Sequence, residues 1–179
     1  MKFQETILAG AYIIDAEQRS DERGFFARTF CQDEFVRHGL NPCVAQCNIS
    51  FNKYAGTLRG MHFQKSPFAE AKLVRCTSGA VFDVIVDLRP ESFTFKRWFG
   101  VELTAQNRKA IYIPEGFAHG MQTLCDDTEL FYQMSTSYHA EFASGVRWDD
   151  PIFDIKWPEP PISGRIIHAK DLAWPDFVK

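Results

Sequence analysis

Val81-Phe82-Asp83-Val84-Ile85-Val86-Asp87-Leu88 is the stretch on which the fold turns. Side chains alternate across a strand, so Phe82, Val84, Val86 and Leu88 share one face and Val81, Asp83, Ile85 and Asp87 the other. One face is wholly apolar and the other mixed. That pattern suits the wall of a sandwich or barrel, with the mixed face lining a polar cavity or meeting water.

Outward from this strand, Ala45–Phe51, Trp98–Leu103, Ala110–Ile113 and Thr128–Met134 read as further strands. Turn signals separate them at Ser78-Gly79, Arg89-Pro90, Pro114-Glu115-Gly116 and Asp126-Asp127. Helix is scarce. Gln32–His38 predicts two turns closed by Gly39, and a second short helix is expected near Lys170–Ala173, ahead of Pro175. No internal repeat, low-complexity tract or linker interrupts the chain. The expectation is one all-β domain over residues 1–179, a jelly roll or sandwich with short peripheral helices.

The bulk properties narrow the function. With 20 basic and 23 acidic residues the formal net charge is −3, which gives no general attraction to nucleic acid or anionic membrane. An anion site must therefore be local. Five cysteines, an odd number with no CxxC pair, read as reduced packing residues rather than a disulfide framework or zinc site. No signal-like segment or bilayer-length apolar run is present, so a soluble, cytoplasmic protein is expected. Seventeen phenylalanines suggest a core or subunit interface rich in rings.

Thr57–Arg75, TLRGMHFQKSPFAEAKLVR, concentrates the chemistry, setting Arg59, His62 and Lys72 on two strands joined by a loop. A base titrating near neutrality beside fixed positive charge suits proton abstraction next to a carbonyl in an anionic substrate. The alternative is a hairpin with a few exposed polar residues. Strict alternation would put Arg59 and His62 on opposite faces, which a bulge at Gly60 would repair. A carboxylate would orient His62, and both Asp171 and Asp83 qualify, although Asp171 could equally cap a short helix. Tyr132 shares a face with Leu130 and Met134. It is either a core tyrosine or a phenol aimed into a cavity as a proton donor. Pro114-Glu115-Gly116-Phe117-Ala118-His119 resembles the second motif of the cupin superfamily, whose histidine often binds metal. The matching H-x-H is absent from Met61-His62-Phe63-Gln64, so no metal is expected.

Taken together, DERGFF (21–26), QCNIS (46–50), TLRGMHFQ, KLVRC, GAVFDVIVDLRPES, YIPEGFAHG and Trp148-Asp149-Asp150-Pro151 closely resemble the dTDP-4-dehydrorhamnose 3,5-epimerase family of nucleotide-sugar enzymes. The resemblance runs from Asp21 to Asp171. It implies a metal-free cupin jelly roll, or double-stranded β-helix, that works without a cofactor. It further implies a homodimer whose active sites draw residues from both subunits. The implied substrate is a nucleoside-diphosphate 4-keto-6-deoxyhexose of dTDP-rhamnose biosynthesis, epimerised through an enolate. By the same analogy His62 is the base oriented by Asp171, Tyr132 the acid on the opposite face, and Lys72 the group that stabilises the enolate oxygen. Arg23, Arg59, His119 and Lys170 would hold the diphosphate and sugar. Gln46, Asn48 and Phe26 would contact the substrate on the nucleotide side, and Tyr138 would stack on the base.

Three positions depart from the family pattern: Arg28 and Ala143, where glutamate is usual, and Cys47 in place of aspartate. None belongs to the proton-transfer set, but the change at Arg28 reverses charge and so bears on the nucleotide base. Two neighbouring functions use the same residues: epimerisation at carbon 3 alone, and the same chemistry on a CDP- or GDP-linked sugar. From other classes, a sugar-nucleotide-binding cupin without turnover is disfavoured by the full proton-transfer set. A metal cupin oxygenase is disfavoured by the missing H-x-H.

Overall fold

The computed structural model describes residues 1–178. Two antiparallel sheets face each other across one apolar core. The first contains, in spatial order, β1 (Lys2–Glu5), β2 (Tyr12–Asp15), β10 (Ala110–Ile113), β7 (Lys72–Ser78), β12 (Thr128–Met134) and β5 (Gln46–Asn52). The second runs β13 (Ala143–Gly145), β6 (Thr57–Gln64), β11 (Phe117–Thr123), β8 (Ala80–Asp87) and β9 (Trp98–Thr104). β14 (Ile166–Ile167) adds a short parallel pairing to β6. Apart from both sheets, β3 (Arg19–Asp21) and β4 (Gly24–Phe26) form an exposed ribbon. This is the all-β jelly roll expected, with strand ends within a residue of those read from alternation.

The mixed face of β8 is the inner one. Val81 and Ile85 join the inter-sheet core with Val74, Ile111, Phe117, Met121 and Leu130. Asp83, between them, reaches His119. The wholly apolar face points outward, yet stays dry. Phe82, Val84, Val86 and Leu88 pack beneath Val146, Phe153, Ile155, Trp157 and Phe177 from the C-terminal segment. Covering a valine there contributes about 1.5–3 kcal/mol relative to leaving it wet. The first sheet is covered likewise. α1 (Gln32–Arg37) buries Phe35 against Ile14, Leu73, Ala110 and Tyr112, with edge-on rings from Phe3, Phe30 and Tyr112.

α1 ends where its glycine predicts. Gly39 adopts φ +69°, and the N–H groups of Gly39 and Leu40 donate to the carbonyls of Val36 and Phe35 at 3.0 and 2.9 Å. This Schellman closure satisfies carbonyls that would otherwise be orphaned. α2 (Ala169–Leu172) is a single turn. Its cap is His168, whose Nδ1 accepts from the Lys170 N–H at 3.1 Å. Asp171 is therefore free of capping duty.

The segments of Thr57–Arg75 do not form a hairpin. β6 and β7 lie in different sheets, so the loop between them crosses from one wall of the barrel to the other.

Candidate active site

A cavity of about 370 Å³ opens between the sheets, lined by His62, Lys72, Tyr132, Gln46, Asn48 and Lys170 among others. An inner chamber of about 110 Å³ shares His62, Lys72 and Tyr132, and adds Arg59 and His119. β6 brings His62 from one wall, while β7 and β12 bring Lys72 and Tyr132 from the other.

Arg59 and His62 reach the same chamber because β6 is bulged, as alternation required. His62 pairs with His119 and Arg59 with Met121, so three steps on β6 match two on β11. Gly60 sits in the bulge at φ +128°, where a Cβ would lie 2.5 Å from the Gly120 Cα and 2.9 Å from the His119 carbonyl. Only glycine fits so close a backbone crossing. The Gly60 N–H donates to Asp171 Oδ2 at 3.3 Å, which ties the bulge to α2.

Asp171 is also the partner of His62, with Oδ1 2.7 Å from Nε2. A carboxylate of this kind accepts only, so Nε2 carries the proton and Nδ1 is the basic nitrogen. Asp83, the other candidate, instead takes His119 Nε2 at 2.9 Å. Its remaining oxygen has no partner among the described residues. Burial holds His62 below its ordinary value of 6.5, against the opposing pull of Asp171. The imidazole is thus neutral and able to accept a proton at physiological pH. Burial also raises the Tyr132 phenol, which Arg59 partly offsets. A phenol kept protonated is available as a donor.

The other cavity residues are held in place. Arg59 Nε donates to Asn52 Oδ1 at 2.7 Å. Gln46 donates to Asn48 Oδ1 at 3.3 Å and accepts from the Tyr138 N–H at 2.8 Å. Tyr138 stays half exposed at the mouth, and Lys170 lies over the Trp174 ring.

Two expected residues are not brought to this cavity. Arg23, paired with Asp21 at 2.6 Å, and Phe26, 71% exposed, stand on the β3–β4 ribbon. Phe26 borders a different groove with Arg19, Arg28 and Arg37. Of the three departures, Ala143 lines the main cavity, Cys47 is on the exposed face of β5, and Arg28 bonds Glu34 at 3.0 Å. Sequence reading missed Phe63, Gln64, Glu70, Ser144 and Trp174, which complete the lining. Gln64 follows His62 by two residues on one strand, and for that residue the spacing was the available signal.

Among the described residues, no three His, Cys, Asp or Glu side chains cluster to hold a metal ion. A jelly roll with a histidine on one wall, backed by Asp171 of α2, and a lysine and a tyrosine on the other has the groups for proton transfer that a cupin-type isomerase needs. The chain belongs to the dTDP-4-dehydrorhamnose 3,5-epimerase family, whose sequence model matches residues 5–179. It is 44% identical over 173 residues to the dTDP-4-dehydrorhamnose 3,5-epimerase of Methanothermobacter thermautotrophicus, covering 97% of this chain and 92% of the relative. The crystal structure of the Elizabethkingia anophelis enzyme of the same name superposes with a TM-score of 0.95 at 39% identity, covering 99% and 96% of the two chains. That of the Bacillus anthracis enzyme, with TDP and PPi bound, gives 0.92 at 39% identity, covering 98% and 99%. The chain is therefore an epimerase by family, and the match is wider than the Asp21–Asp171 span of its motifs.

Proposed function

We propose that this chain converts dTDP-4-dehydro-6-deoxy-D-glucose to dTDP-4-dehydro-L-rhamnose by inverting carbons 3 and 5. The observation that carries the reading is the placement of His62 and Tyr132 on opposite walls of one cavity. The 4-ketone acidifies both neighbouring C–H bonds. His62 Nδ1 takes the proton from one face, and the bonding pair moves onto the ketone oxygen as an enolate. Lys72 stabilises that oxygen, a preorganised contact of about 3 kcal/mol. The Tyr132 phenol then delivers a proton from the other face and inverts the centre. Imidazolium and phenolate return to their resting forms by exchange with solvent, and the cycle repeats at the second carbon.

Arg59, His119 and Lys170 hold the diphosphate and sugar, where a guanidinium fork suits phosphate oxygens. Gln46, Asn48 and Tyr138, at the outer end, receive the nucleoside. The dTDP form is favoured because the Bacillus anthracis relative holds TDP. Proton NMR in deuterium oxide with freshly made dTDP-4-keto-6-deoxyglucose tests the assignment. Deuterium at carbons 3 and 5 with a rhamno product supports it. Deuterium at carbon 3 alone makes the protein a 3-epimerase, and no exchange moves the search to CDP- and GDP-linked ketosugars.

We further propose that the enzyme works in the cytoplasm as a homodimer. Ile49 and Phe51 lie exposed on β5, a sheet edge, and Phe25 and Phe26 on the ribbon. Exposed apolar side chains beside an unpaired strand suit contact with a second copy. In such a dimer Arg23 and Phe26 serve the cavity of the other subunit. Sedimentation should give twice the mass of one chain, whereas a stable monomer would remove the dimer from this scheme.

A further inference from the structure

The mechanism uses Lys72 but leaves Glu70 unexplained, although this carboxylate is only 7% exposed and lines the same cavity. Burying an ionised carboxylate is costly unless its oxygens are paired and hydrogen-bonded. Both are engaged. Oε1 lies 3.0 Å from Lys72 Nζ, and Oε2 accepts from the Gln64 backbone N–H at 3.2 Å. These partners belong to opposite walls: Gln64 closes β6, two residues beyond His62, and Lys72 opens β7. The β6 side of the clamp is itself immobilised. The Gln64 side chain donates to the carbonyls of Phe68 and Ser137 at 3.0 and 3.3 Å, and accepts from the His139 N–H at 2.6 Å.

A lysine ammonium on its own is a mobile point charge on a flexible stem with three donors. One donor spent on a fixed carboxylate aims the other two. We infer that Glu70 is a positioning residue: its carboxylate fixes the Lys72 ammonium relative to the strand that carries His62, so that the cation meets the enolate oxygen as the proton leaves. Glu70 touches no reacting atom and acts through Lys72. The inference rests on the epimerase reading of the cavity.

A double-mutant cycle separates this role from simple support of the loop. Glu70→Ala is expected to lower kcat about 10- to 30-fold while KM stays within about twofold, since the lost contact matters only in the transition state. Glu70→Gln keeps an acceptor for one of the two donors and should lose only about threefold. In a Lys72→Met background neither substitution should slow the residual solvent exchange further, because a residue acting through Lys72 has nothing left to position. Losses that add on top of Lys72→Met would overturn the inference, as a merely structural Glu70 would harm the site with or without the lysine. If the alanine variant does not melt cooperatively, the glutamine variant carries the same cycle. Wild-type protein that exchanges neither carbon overturns the epimerase reading and the inference with it. Wild-type turnover with additive losses overturns the positioning role alone.

Discussion

His62→Asn should abolish deuterium exchange at carbon 3 and at carbon 5 together, lowering turnover by roughly 10²- to 10⁴-fold. Both carbons fail because in this mechanism one base serves both. The native enzyme carries a matching signature. Burial holds His62 below 6.5, so the acid limb of the kcat/KM profile should fall below that pH. Asp171→Asn removes the hydrogen bond that favours the imidazolium, so the limb should move to still lower pH while kcat drops. Exchange that survives in His62→Asn would end the assignment of the base.

Tyr132→Phe should leave the first half of the reaction and remove the second. The ring keeps its packing beside Leu130 and Val74 in the core, so the fold is preserved. What disappears is the proton on the far wall. His62 can still form the enolate and return a deuteron to the face it came from. Carbon 3 should therefore take up label without inversion, and the rhamno product should fall roughly 10²- to 10⁴-fold. Label and stereochemistry, read in one NMR experiment, separate the two events. Product formed at the native rate would show that another group protonates the far face.

Legibility of the fold followed exposure to contrasting environments. β8 and β12 were readable because their two faces meet different surroundings, which alternation records. β11, FAHGMQT, showed no alternation because it is buried between β6 and β8 and interrupted by Gly120. β13 and β14 are a few residues each, held by pairing to β6, and such non-local bonds leave no local pattern. In the site, His62 and Lys72 stood out as polar groups on strands, whereas Tyr132 read equally as a core residue until the family resemblance gave it a role. Spacing could not choose between Asp171 and Asp83, since Asp171 lies 109 residues from His62, and only the family resemblance pointed to Asp171. The Gly60 bulge was recoverable because glycine was the residue alternation needed there. Glu70 escaped notice because it sits in a crossing loop that has no period to read.

The C-terminal segment, which roofs the apolar face of β8 and carries Asp171, has a consequence for how the enzyme comes into being. Chains are made and folded from the N-terminus, so every strand through β12 leaves the ribosome before residues 146–177 do. A chain ending before residue 146 would lack both the cover over Phe82, Val84 and Val86 and the carboxylate that pairs with His62, so one segment ties the solubility of the barrel to the tuning of its base.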